Sequence, residues 1–116
     1  MSAEKIAAAA IKIGNEVYTG MTHFAVMRRI VMMPDVASGT VAQMILDGMD
    51  GFVTDAGRFV DRAEAFRIAA QARQMSDHEY ADPEKNKAFY GTEEPSLDSG
   101  LIEHYAAFIR KPSYLS

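Results

Sequence analysis

Cysteine is absent from the 116 residues. That excludes disulfides, thiolate nucleophiles and cysteine-ligated zinc, and it fits a reducing compartment. Also missing is any run near the roughly 18 apolar residues that a membrane-spanning helix needs. The apolar stretch after Met1-Ser2-Ala3-Glu4-Lys5 is too short, and wrongly flanked, for a secretory leader. Basic excess is lacking too, since 12 Lys and Arg stand against 16 Asp and Glu, a net charge of −4. Duplex binding draws its affinity from phosphate neutralisation, so neither duplex nucleic acid nor a membrane is an expected partner. A small anion is different, because two or three local arginines and a few backbone N–H groups suffice to hold it. Together these absences predict a soluble, cytoplasmic chain.

Catalytic signatures are missing as well. There is no GxSxG, no P-loop and no GxGxxG. His23, His78 and His104 show neither ligand spacing on a helix nor an HExxH pattern, so no metal and no cofactor is expected. Glu93, Glu94 and Asp98 read as a solvated acidic loop, because paired carboxylates do acid–base work only when burial splits their pKa values. Residues Gly51 to Gln74 invite comparison with Nudix-type pyrophosphatases through Arg62-Ala63-Glu64-Ala65. Ala65, Phe66, Ile68 and Ala69 then occupy the places where further carboxylates would hold magnesium, which argues against that chemistry.

What is present is an ordinary globular composition, 48% hydrophobic, in one domain spanning residues 1–116. The pattern predicts an α+β fold, a small antiparallel sheet of hairpins packed with two or three helices, in a core over 6–75. Residues 6–20 read as a hairpin turning at Gly14-Asn15, although the alanine run could equally open a helix. Thr22 caps a helix over His23–Met33 that Pro34 stops. A short helix is expected over Val41–Leu46. Gly51–Thr54 and Arg58–Val60 read as strands about a tight Asp55-Ala56-Gly57 turn. Asp61 and Glu64 form a capping box for a helix ending near Met75, with Ala63, Phe66 and Ala70 on one face and Ile68, Ala69 and Ala72 beside it. Residues 76–100 read as a polar loop with a short ordered piece at Lys87–Tyr90. In the C-terminal segment, 101–116, Leu101–Ile109 reads as a final helix.

Several residues look like parts of a binding site. Arg28 and Arg29 interrupt an otherwise apolar helix, and burying them demands an anion or a carboxylate across a subunit contact. Phe52 and Phe59 flank the glycine turn, as core rings or as a wall that stacks a purine. Arg58, Arg62, Arg67 and Arg73 give the second half of the chain local positive character.

Tyr18-Thr19-Gly20, with Thr22-His23 opening a helix, is followed by Gly51-Phe52-Val53-Thr54-Asp55-Ala56-Gly57-Arg58-Phe59-Val60-Asp61-Arg62-Ala63-Glu64-Ala65. This order resembles the first-described family of Thoeris anti-defence proteins, phage-encoded sponges, over roughly residues 6–75. The resemblance implies capture of cyclic ADP-ribose isomers made by bacterial immune enzymes, without cleavage. Cyclic oligonucleotides are a further implied ligand, and dimers or hexamers of three dimers the implied assembly. It also implies Phe52 as an adenine-stacking ring, Asp61 as a ribose or base contact, and Arg28 as a phosphate contact. Arg29, Arg58, Arg62 and His23 complete the expected ligand-binding set. The chain departs from the family pattern after the helix, at Arg73-Gln74-Met75 and through the segment to Ser116.

The expected function is therefore a non-catalytic sponge for cyclic nucleotides. A phage interaction or structural subunit without a ligand is the alternative, and a nucleotide hydrolase a more distant one. The apolar circumference of the His23–Met33 helix predicts an assembly larger than a dimer; light scattering at micromolar concentration checks it, and a monomer mass contradicts it.

Overall fold

The computed structural model describes residues 4–32, 49–75 and 78–109. The expected Val41–Leu46 helix and the Met33–Pro34 helix stop lie outside them. The fold is α+β, with a four-stranded antiparallel sheet and three α-helices among the described residues.

Strands β1 (Ile6–Ile13) and β2 (Glu16–Gly20) form the expected hairpin, with Ile13 opposite Glu16. Gly14 takes φ +62°, the sign a two-residue hairpin turn requires at its first central position. Alanine favours helix in isolation. Here the run Ala7–Ala10 is strand because β1 is flanked on both edges, by β2 and by β3 (Met49–Thr54), in the order β2-β1-β3-β4. The short β4 (Phe59–Val60) closes the sheet. Gly51 lets β4 approach, since a Cβ there would lie 2.2 Å from the Val60 carbonyl oxygen.

Every residue of β1 from Ile6 to Ile11 is buried, so the strand is covered on both faces. Ala9 and Ile11 face the helices, beside Phe52 and beneath Val26 and Ile30. Ala8 and Ala10 face the other way, packed with Val53, Val17, Phe59 and Phe108. A register shift between Ile6 and Ala8 turns Ile6 onto the helical side. The backbone it displaces is held by the buried Gln74 amide. Gln74 Oε1 accepts from Ile6 N–H at 2.7 Å, and Nε2 donates to the Ile6 carbonyl at 2.9 Å.

Helix α1 (His23–Val31) starts at Thr22, whose hydroxyl accepts from Ala25 N–H. It buries His23, Val26 and Ile30 on one side and exposes the other. Helix α2 (Arg62–Gln71) is capped by Asp61, which accepts from Glu64 N–H at 2.8 Å. The reciprocal half of a capping box is replaced, because the Glu64 carboxylate takes Arg58 instead. The buried face is Ala65, Phe66 and Ala69, so Phe66 and Ala69 lie on the expected side, whereas Ala63 is half-buried and Ala70 is exposed. The helix ends at Gln71 rather than Met75, because Arg73 turns left-handed and its N–H bonds to Ala70 while Gln74 N–H bonds to Ala69.

The expected 76–100 loop is in fact built. Helix α3 (Pro83–Tyr90) begins with Asp82 as cap and Pro83 in its first turn, and stops at left-handed Gly91. Single 3-10 turns at Glu79–Ala81 and Ser99–Leu101 flank it. Buried Asn86 orders the region: its Nδ2 donates to the Tyr80 and Ser96 carbonyls, and its Oδ1 accepts from Ser96 N–H. The expected Leu101–Ile109 helix is not formed beyond the turn at Leu101. Its backbone bonds outward instead, Glu103 N–H to Gln74, Ala106 N–H to Ile6 and Ile109 N–H to Asp55.

Asn86→Ala leaves three part-buried backbone groups without their partner. A loss of about 2–4 kcal/mol is expected in urea unfolding, well beyond a surface Asn→Ala change.

Candidate functional site

His23 opens α1 and its ring is buried against the sheet. Nε2 lies 2.7 Å from the Gly51 carbonyl, and the ring meets Phe52 edge-on at 4.9 Å. Nδ1 lies 3.4 Å from an Arg62 Nη. A carbonyl only accepts and a guanidinium only donates, so the neutral ring carries its proton on Nε2. Burial, then the Arg62 charge, lowers the His23 pKa below its ordinary value. Arg62 also bonds Asp50 at 2.7 Å and the Leu97 carbonyl at 2.7 Å. Burial works to raise the Asp50 carboxyl, but the Arg62 hydrogen bonds and charge outweigh it and leave it lowered.

Most of the expected ligand set is thus committed to the fold. Phe52 is fully buried in the core and offers no face to a purine, which corrects its expected stacking role. His23 and Arg62 come together, but as a link between α1, β3 and α2 rather than as open donors. Asp61 spends a carboxylate oxygen on the α2 cap. Arg58 bridges Glu4 at 2.7 Å and Glu64 at 2.9 Å, and hydrogen bonds from Glu4 first, then Glu64, raise its pKa.

Asp61 and Arg62 do line a recess of about 500 Å³, with Asp50, Glu93, Glu94 and Ser96. Four carboxylates against one guanidinium already paired to Asp50 make it a poor seat for a diphosphate. Among the described residues, no group of three or more His, Asp or Glu is placed to hold a metal ion. No helix among them is long and apolar enough to cross a membrane.

Arg28 and Arg29 are placed differently. Both are exposed, and neither makes an ion pair among the described residues. Arg29 donates to the Thr19 carbonyl. With Phe24, Ala25 and Met32 they line a second concavity of about 500 Å³, mostly apolar. Phe24 and Met32 are 70% and 74% exposed, uncommon for such side chains on a small domain. Phe24 is the site residue that sequence reasoning missed. Its signal was the helical spacing that puts residues 24, 25, 28, 29 and 32 on one side of α1.

The family model described as "Phage T4 y16D protein" matches residues 5–94 of the chain. The chain belongs to the phage T4 y16D protein family. The matched stretch of this y16D-family chain takes in the described sheet and the three described helices, with the whole concavity around Arg28 and all of the Arg62 recess but Ser96. Membership places the chain among phage proteins, in agreement with the phage origin that the resemblance implied. No curated protein and no solved structure matches it.

The folded chain holds His23 at a lowered pKa, whereas the unfolded chain titrates it near 6.5. The unfolded state therefore takes up a proton first as pH falls. Stability from this group is complete above about pH 6.5 and is lost below it, with a slope of at most about 1.4 kcal/mol per pH unit. Urea unfolding of the wild type and His23→Gln between pH 7.5 and 5.5 is expected to show a shallower decline for the variant; parallel declines would clear His23 of the effect.

Proposed function

We infer that the chain is a phage-encoded binding protein that captures a cyclic nucleotide signal of the cyclic ADP-ribose type and holds it uncleaved. The observation that carries this reading is the α1 concavity, where two exposed guanidiniums stand beside an exposed phenyl ring. Forked guanidiniums suit phosphate oxygens, and a ring face suits a purine. The stacking ring in this reading is Phe24, in place of Phe52. Binding of this kind needs no nucleophile, metal or general base, which is why a sponge fits better than an enzyme.

The concavity is open on one side, and nanomolar capture corresponds to about −12 kcal/mol. A second copy facing α1 would close it, burying Met21, Phe24, Val31 and Met32, which are exposed in the single chain. Self-association, as a dimer or a hexamer of three dimers, therefore belongs to the same proposal. Those four exposed apolar residues also favour a second reading, an interaction subunit that docks another phage protein through α1 and takes no small ligand.

The experiment incubates the protein with cyclic ADP-ribose isomers, removes free ligand, denatures the protein and runs chromatography. Intact released ligand supports the sponge, a new product points to an enzyme, and empty protein favours the interaction subunit. Arg28→Ala is expected to weaken binding by calorimetry about tenfold or more while leaving the melting curve unchanged, the measure of one lost charge-assisted contact.

A further inference from the structure

Arg73 is the one non-glycine residue among those described with a positive φ, at +57°. It occupies the position just after the Ala72 cap of α2, where helices that close with this pair of hydrogen bonds usually carry glycine. A side chain here costs strain that glycine would avoid, and a cation near the helix C-terminus recovers only part of it. Local backbone chemistry thus calls for glycine and the chain supplies arginine. Something that the Arg73 side chain does is the missing half of the account.

Arg73 lines a recess of about 270 Å³ between the start of β1, the end of α2 and the extended stretch after Leu101. Lys5 and His104 line it too. Among the described residues, Lys5 and Arg73 make no ion pair. Glu103 is the one carboxylate on the wall, and its Oε1 lies 3.9 Å from His104 Nε2. The rigid parts of the wall are well fixed: Gln74 clamps Ile6, and Glu103 N–H bonds Gln74. This recess lies at the opposite end of β1 from the Ile11 contact with α1, and it shares no lining residue with the Phe24–Arg28 concavity.

We propose that the Lys5–Arg73–His104 recess is an anion site for a phosphoryl group, either free phosphate or the terminal phosphate of a small sugar ester. The planar fork of Arg73 takes two phosphate oxygens, and the Lys5 ammonium takes a third. The recess exceeds the volume of one phosphate and leaves room for a pentose.

The test titrates the full chain with inorganic phosphate and, separately, with ribose 5-phosphate at constant ionic strength, following the Arg73 side-chain and His104 ring resonances by NMR. Saturable shifts at millimolar ligand are expected; equal affinity for the two marks free phosphate, and tighter ester binding marks the sugar phosphate. Arg73→Gly is expected to raise Tm by about 2–5 °C and to weaken binding at least tenfold. Lys5→Ala is expected to weaken binding severalfold at unchanged Tm, and Arg67→Ala, an exposed arginine that lines neither concavity, to leave it as in the wild type. Linear, unsaturable shifts, or Arg73→Gly that binds as the wild type, or a lowered Tm for Arg73→Gly, would each overturn the proposal.

Discussion

A strand of alanines buried on both faces constrains everything else in this molecule. Ala7 to Ala10 contribute little apolar surface each, so β1 is stable only if other elements come close on both sides. On one side the small side chains admit Phe52 and Phe66, with α1 seated on Ile11. On the other they admit Val53, Phe59 and Phe108. Larger residues in β1 would push these layers apart, and a polar one would be stranded without water. The start of the strand has the added problem of a register break at Ile6, and the Gln74 amide answers it with a donor and an acceptor at once.

The arginines show how tertiary structure sorts residues of one type into different work. Arg58 and Arg62 are drawn into carboxylates brought near by the turn between β3 and α2. Arg28 and Arg29 face outward from α1, and Arg73 sits on strained backbone at a helix end. The molecule consequently carries a cationic, apolar face on α1 and an acidic recess beside α2.

Much of the frame was legible because it is set by short-range chemistry. Gly14-Asn15, the Thr22 cap, the Gly51–Val60 hairpin and the Asp61 cap all act within a few residues of themselves. Asp82-Pro83 and Gly91 were equally local signals, the start and stop of α3, hidden by a polar composition that resembles loop. What escaped reading depends on distant partners. The phase of the α2 face is decided by where Phe66 meets Phe52 and Leu97. The committed state of His23 depends on the Gly51 carbonyl and Arg62, 28 and 39 residues away. The core position of Phe52 follows from the same packing, whereas helical spacing groups Phe24 with Arg28 and Arg29 but does not say which side of α1 meets the sheet.

The clamp on Ile6 has a consequence for synthesis. The N–H and carbonyl of Ile6 leave the ribosome ahead of their partners, the Gln74 side chain and the Ala106 N–H, which come 68 and 100 residues later. The nascent hairpin must therefore wait, with an unsatisfied edge and a bare alanine face, until Ala106 has been translated. Such sequence-distant closure slows folding and favours an all-or-none transition late in synthesis.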